Sequence, residues 1–429
     1  MNMNREKKIA IAIVAIIFVV CIVQAVQIGL LMGSNKKLTT QVSQLESDLV
    51  TTSENVSQVQ TKIETSETPT LYLPKDMYVS AGITMEIYND EITWGVNPDD
   101  YIYYWSCDIG DCMENKFHYG GMDADVGPHV LKVKVYDYQK NEVASAETIL
   151  HVGANEFLSQ KLTGLNVLTI GDSLTSDAAW LSYIRDLSLA KINNIGTLGA
   201  TPGLQHEGRL GFSAMNYLEG IPYDIDAKKV YINPKTGKFD WTYYKKTNKM
   251  NPDVVQIFLG ANGMSVDPTD NVKAITEIVE IIHTADPTIP ILVVQTIYPS
   301  GQDGMAKQQN VLGFQAFHGM WSFERDEMTF NLMTALDEAF SEMDQVYLVP
   351  AAITFDREHN FNYAATKVNP HSLQETIMSV ESIHPSAEGA KQIGDTMYSI
   401  LSYLVGKEEI GTRTTISANA VSANAVQTQ

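Results

Sequence analysis

A serine hydroxyl becomes a useful nucleophile only when an imidazole takes its proton, and the imidazole works best when a carboxylate fixes its tautomer and supports its charge. The chain offers such a set at two distant places. Gly171-Asp172-Ser173-Leu174 directly follows the apolar run Leu165 to Ile170, and Glu381-Ser382-Ile383-His384-Pro385 puts a carboxylate three residues before an imidazole. Ser173 is the candidate nucleophile, His384 its base and Glu381 the orienting acid. Between them, Gly260-Ala261-Asn262-Gly263 follows the apolar run Val254 to Leu259 and supplies a side-chain amide donor in Asn262. Taken alone, Gly-Asp-Ser-Leu is also an ordinary strand-to-helix turn in which Asp172 or Ser173 caps the helix. His206, His283, His318, His359 and His371 have no comparable partners and read as surface or hydrogen-bonded histidines. No His, Asp, Glu or Cys cluster has metal-ligand spacing, so neither a metal nor a cofactor is expected.

The elements that must position these residues alternate in type. Buried-type strands are expected at Leu165–Ile170, Val254–Leu259, Ile291–Ile297 and Val346–Val349. Helical patterns surround Trp180, Leu181 and Ile184, then Val272 to His283, Phe330 to Met343 and Ala387 to Leu404. Strands alternating with helices imply a parallel sheet covered on both faces, with active groups at the carboxyl ends of the strands. Both the Ser173 and the Asn262 motifs fall at such ends.

The ordered set resembles the SGNH, or GDSL, hydrolase family, whose blocks are a GDS motif, a glycine, a GxND motif and a DxxH motif. The resemblance spans about residues 162–406 and includes His206-Glu-Gly-Arg-Leu-Gly-Phe212, similar to the segment that holds the second-block glycine. It places that glycine at Gly211, with Gly208 the alternative. The resemblance implies a flavodoxin-like three-layer α/β/α domain. It also implies an oxyanion hole made of the Ser173 N–H, the Gly211 N–H and the Asn262 side-chain amide. Two positions depart from the pattern: Gly263 stands where the family has Asp, which bears on support of the Asn262 loop, and Glu381 stands where it has Asp. Glu381 lengthens the orienting arm by one methylene. If it points away, His384 is held as a dyad, by a backbone carbonyl or by another acid such as Asp356.

The rest of the chain bears on where this chemistry takes place. At 429 residues two or three units are expected, and 30 Lys plus Arg against 51 Asp plus Glu, a net charge of -21, argues against a nucleic-acid partner. Residues 1–8 carry Arg5, Lys7 and Lys8, and 9–32 is apolar enough for one membrane-spanning helix, which sets the remainder outside the cell; a cleaved signal peptide is the rival reading. Residues 33–68 hold Leu38, Val42, Leu45, Leu49, Thr52, Val56, Val59 and Ile63 in steps of four and three, which reads as a parallel coiled-coil stalk of a homo-oligomer or as a solvated linker. Residues 70–153 read as a small β-sandwich spacer, and Gly127 to Asp137 weakly resembles an immunoglobulin-like or PKD-like hairpin. Within it, Tyr101, Tyr103, Tyr104 and Trp105 line a sugar-binding face or belong to the core. Asp108, Asp111, Asp123 and Asp125 hold calcium or form a solvated acidic loop. Cys107 and Cys112 form a disulfide or remain as thiols. Residues 407–429 carry the repeat Ser417-Ala-Asn-Ala-Val421 and Ser422-Ala-Asn-Ala-Val426 and are expected to be a disordered tail.

The expected reaction is ester hydrolysis through an acyl-serine. An acidic hydrolase held outside a membrane suits removal of O-acetyl groups from cell-wall or environmental polysaccharide. A lipid or lysophospholipid esterase, with Phe212, Met215, Phe314, Phe317 and Trp321 as its apolar lining, is the alternative, as is a non-catalytic surface adhesin or scaffold.

Overall fold

The computed structural model describes residues 68–156, 160–220, 230–302, 304–305 and 319–409, together with the single positions Val20 and Val50. The chain divides into two compact units, 1–67 and 68–429, and the described elements belong to the second. The expected membrane span and stalk therefore lie outside the described residues, as do Phe314, Phe317, His318 and nearly all of the tail. Among the described residues no helix is long and apolar enough to cross a membrane.

Nine strands come first: β1 (Thr70–Leu71), β2 (Asp76–Ser80), β3 (Thr84–Tyr88), β4 (Thr93–Trp94), β5 (Ile102–Ser106), β6 (Asp111–Cys112), β7 (Lys116–Gly120), β8 (Gly127–Tyr136) and β9 (Glu142–Gly153). They form a sheet in the order β2-β9-β8-β5, a second in the order β3-β7-β6, and the pair β1-β4. Alternation sends Met77 and Val79, Leu131, Val133 and Val135, and Leu150 and Val152 inward. It also splits the aromatic run, since Tyr103 and Trp105 are buried while Tyr104 is 61% exposed and packs edge-on to Tyr136. The apolar cluster of this region continues into Tyr298, Phe330, Met333, Ala352 and Ile353, so it is joined to the rest through a common core. His129 lies between the Asp108 carboxylate (2.8 Å) and the Asp125 carbonyl (2.7 Å), and Cys107 and Cys112 are free thiols.

The α/β region holds the parallel strands β10 (Asn166–Gly171), β11 (Asn193–Ile195) and β12 (Glu207–Gly208), the antiparallel pair β13 (Ile232–Asn233) and β14 (Lys238–Phe239), the parallel strands β15 (Val254–Phe258), β16 (Ile291–Val294) and β17 (Val346–Val349), and the hairpin β18 (Tyr363–Lys367) and β19 (Glu375–Ser379). Its helices are α1 (Ser173–Ser176), α2 (Ala179–Leu187), α3 (Ala214–Glu219), α4 (Trp241–Asn248), α5 (Thr269–Ala285), α6 (Ser322–Phe340) and α7 (Ala387–Gly406). The main sheet runs β11-β10-β15-β16-β17, all parallel, with β12 beside the end of β10.

Successive residues of these strands face opposite ways. Leu168, Ile170, Val255, Ile257, Val293 and Leu348 pack with Ile275, Ile278 and Ile282 of α5 and Leu332, Leu336 and Phe340 of α6. Val167, Val254, Phe258, Leu292, Val294 and Val349 pack with Trp180, Leu181 and Ile184 of α2 and Ile393, Met397 and Leu401 of α7. Two apolar clusters on opposite faces of one sheet make three layers. In chain order the five strands stand 2-1-3-4-5, so the direction of winding reverses between β10 and β15, where open parallel sheets leave a crevice at their carboxyl ends. Ser173 follows β10 and Asn262 follows β15.

Candidate active site

The turn that carries Ser173 is built by close approach. Asp172 caps α1, its Oδ1 accepting from the Leu174 N–H at 2.9 Å. A side chain at Gly171 would place its Cβ 2.2 Å from Thr175 Oγ1, and one at Gly208 would reach 2.8 Å from the Ser176 backbone nitrogen. Glycine at this paired position lets α1 begin directly over the ends of β10 and β12, leaving Ser173 half-buried at the crevice.

Asn262 ties the motifs together. Its Nδ2 donates to Asp172 Oδ2 at 3.2 Å and to the carbonyl of Phe212, the residue after Gly211, at 3.1 Å. The Ser173 turn, the Gly211 loop and the Asn262 loop thus converge on one side chain. Gly211 itself is exposed, with φ +72°, and its N–H has no acceptor among the described residues. The Gly208 N–H, in contrast, is taken by His206 Nδ1 at 3.0 Å. Among the described residues the Gly211 N–H is thus unengaged and the Gly208 N–H is engaged. Gly263 has φ +77°, a conformation that favours glycine and leaves no place for the family's aspartate without strain. Support for this loop comes from elsewhere: Arg325 Nη2 donates to the Ala261 carbonyl at 3.1 Å, and Asn271 Nδ2 to the Gly260 carbonyl at 3.3 Å.

His384 sits between the β18–β19 hairpin and α7. Glu381 Oε1 accepts from the backbone N–H groups of Ser382 (3.1 Å), Ile383 (3.1 Å) and His384 (3.3 Å), and it lies 3.5 Å from His384 Nδ1. The loop is held from behind by Ser300 N–H to the Ser382 carbonyl at 3.0 Å and by Ser379 N–H to Gln302 Oε1 at 2.7 Å. Asp356 is engaged by His359 Nδ1 at 3.0 Å, so Glu381 is the acid that faces His384. His384 Nε2 is buried and has no hydrogen-bond partner among the described residues.

The electrostatics follow from these contacts. The Glu381 contact raises the His384 imidazole above its ordinary value against the opposing effect of burial, with the Asp172 and Asp177 charges adding to it. Burial pushes the Glu381 carboxyl up, but the contact with His384 and the Ile383 and His384 N–H groups outweigh it and hold the carboxyl low. Burial drives Asp172 up to about 7, against the Leu174 N–H, the His384 charge and the Asn262 amide. His206 is also buried, and burial lowers its imidazole, which keeps it a neutral acceptor for the Gly208 N–H. Among the described residues no group of three His, Cys, Asp or Glu is arranged to hold a metal ion.

Comparisons with known proteins add likeness without transfer. No family model matches the chain, and no curated protein matches it. Among solved structures it is similar to a crystal structure of an acetyl esterase mutant with acetate ion, at 16% identity over 57% of this chain and 99% of that one, with a TM-score of 0.34. A carbohydrate esterase family 3 from Talaromyces cellulolyticus gives 18% identity over 57% and 99%, with a TM-score of 0.33. A possible lipase from Chitinophaga pinensis gives 16% identity over 56% and 98%, with a TM-score of 0.35. These values are too low to carry a residue role across, so the chemistry rests on the site's own geometry.

Reading the sequence missed two supports, the Asp172 contact to Asn262 and the Arg325 brace. Asp172 was legible only as a cap, and Arg325, in the polar first turn of α6, carries the sequence signature of a surface residue.

Proposed function

We propose that this chain is a serine ester hydrolase in which Ser173 is the nucleophile, His384 the base and Glu381 the orienting acid. The observation that carries the reading is the convergence of the Ser173 turn and the Gly211 and Asn262 loops on the Asn262 amide, with the Asp172 and Asp177 charges acting on His384. Among the described residues no hydrogen bond joins Ser173 to His384 Nε2, and in this reading that contact forms when substrate binds. In this reading Ser173 Oγ attacks the ester carbonyl while His384 Nε2 takes its proton. Negative charge on the carbonyl oxygen is met by the Ser173 and Gly211 N–H groups and the Asn262 amide. His384 then protonates the departing alcohol, and water, deprotonated by the same imidazole, releases the acid and frees Ser173. Asn262 must turn one Nδ2 proton from Asp172 or Phe212 to the oxyanion, which is compatible with catalytic contacts that tighten only when substrate binds.

The proposed substrate is an O-acetylated polysaccharide of a cell wall or the surroundings. The apolar segment 9–32 and the heptad-like 33–68 support a single-pass anchor with the hydrolase outside the cell and a parallel homo-oligomeric stalk. A lipid ester is the second reading, favoured by the exposure of Leu210 (75%) and Met215 (41%) on either side of Gly211. Acetate release from acetylated xylan, compared with fatty-acid release from lysophosphatidylcholine, tests the two. Acetate release that is lost in Ser173→Ala supports the glycan reading, fatty-acid release alone replaces it with the lipid one, and neither release contradicts both.

A further inference from the structure

Arg325 lies in the first turn of α6, and only 6% of it is exposed. Its guanidinium meets no carboxylate among the described residues. Nη2 donates to the Ala261 carbonyl at 3.1 Å and lies 2.9 Å from Met264 Sδ, Nη1 lies 3.9 Å from Met328 Sδ, and Nε has no partner. The adjacent carboxylate, Asp326, is taken at both oxygens by Arg357, at 2.9 and 2.7 Å. Burial pulls the Arg325 guanidinium down to about 10, with Asp326 opposing, so it still carries its charge at neutral pH.

A buried cation with no ion pair among the described residues, helped only by the charge of an Asp326 that is engaged by Arg357, is costly in a protein whose net charge is -21. Bracing one carbonyl does not require it, because a glutamine would supply the same N–H without a charge. The carbonyl it braces belongs to the residue before Asn262. In the proposed reaction a negative charge forms beside Asn262, in a partly dry site where a fixed cation acts more strongly than in water. The missing counter-charge would then be the oxyanion itself, present only in the transition state.

We infer that Arg325 is a positioning residue for the oxyanion site: through the Ala261 carbonyl it sets the Asn262 loop, and its charge, which forms no ion pair among the described residues, favours the anion that forms there. This inference rests on the serine-hydrolase reading. The test uses the full chain and its Arg325→Met, Arg325→Gln, Arg325→Lys and Ser173→Ala variants. It measures kcat and KM for p-nitrophenyl acetate, and the rate at which an alkyl fluorophosphonate modifies Ser173 with loss of fluoride, read by mass. Loss of the charge in the Met and Gln variants is expected to lower kcat and the modification rate on the order of tenfold, with KM within about twofold. The Lys variant, which keeps the charge, is expected to stay within about threefold of the parent.

Equal rates in the Lys and Gln variants overturn the inference, as does parental kcat in either neutral variant. The Gln–Lys pair decides if Arg325→Met does not fold. Ser173→Ala separates the two levels: if it abolishes hydrolysis while the Arg325 variants match the parent, only the inference fails. If Ser173→Ala retains activity, or the parent has none and is not modified, the reading beneath it fails as well.

Discussion

Replacing Glu381 by glutamine probes the most unusual member of the proposed triad. The substitution keeps the side-chain length and an oxygen that can accept from the Ser382, Ile383 and His384 N–H groups, but it removes the charge 3.5 Å from His384 Nδ1. A unit pair at that separation is worth about 5 kcal/mol at an effective dielectric of 20. The His384 and Glu381 side chains are 37% and 22% exposed, which reduces this to roughly 1–2 kcal/mol, or about one pH unit. The sign follows directly: without the carboxylate the imidazolium is less favoured, His384 loses its proton at lower pH, and the acidic limb of kcat/KM moves down by about one unit. The plateau rate falls roughly ten- to a hundredfold, because the developing imidazolium loses its support and the amide can donate to Nδ1, which selects the wrong tautomer. The assay is a pH–rate profile from pH 5 to 9 on p-nitrophenyl acetate. An acidic limb that stays in place or moves up, or an unchanged plateau, refutes the assignment of Glu381.

Three further outcomes follow from the contacts. Asn262→Ala is expected to reduce kcat on the order of a hundred- to a thousandfold with little change in KM, measured by steady-state kinetics; an unchanged kcat removes Asn262 from the oxyanion site. Burial moves Asp172 from 3.8 to about 7, so the folded state holds a proton that the unfolded chain has released, and stability falls as pH rises between about 4 and 7. Asp172→Asn removes that contribution, at most about 4 kcal/mol, and urea unfolding at pH 5 and pH 8 should show a smaller difference in the variant. Arg357 pairs with Asp326 at both oxygens and donates through Nε to the Pro299 carbonyl at 2.9 Å, while its backbone N–H donates to the buried Glu91 carboxylate at 3.1 Å. Arg357→Met leaves the part-buried Asp326 carboxylate without its partner, while the backbone contact to Glu91 is kept, and should cost up to about 3 kcal/mol in urea unfolding.

The placing of the motifs was legible: Ser173 and Asn262 each follow an apolar run that does become a parallel strand. The helices expected near Val272 and Ala387 formed as Thr269–Ala285 and Ala387–Gly406, marked by apolar residues at helical spacing. The helix expected from Phe330 instead begins at Ser322, because its first two turns, through Glu324, Arg325, Asp326 and Glu327, are too polar to extend the pattern. The strand expected to reach Ile297 ends at Val294, where Gln295 turns its side chain to Tyr72 Oη and the Met333 carbonyl. Strand β11 has the sequence Asn-Asn-Ile, and only pairing with β10 makes it a strand. Neither a contact across the fold, such as Arg325 to Ala261, nor a turn contact, such as Glu381 to the backbone of its own loop, has a periodic signature along the chain. The bonding state of the two candidate glycine amides was not legible either, since the contact from the Gly208 N–H to His206 Nδ1 depends on the local turn.

The central claim is that Ser173 and His384 act together on an ester, and the most direct test is p-nitrophenyl acetate hydrolysis by the purified full chain beside Ser173→Ala and His384→Ala. Activity in the parent that falls at least a thousandfold in both variants, with folding unchanged by circular dichroism, is the predicted result. Equal activity in all three proteins, or its absence from the parent, contradicts the claim.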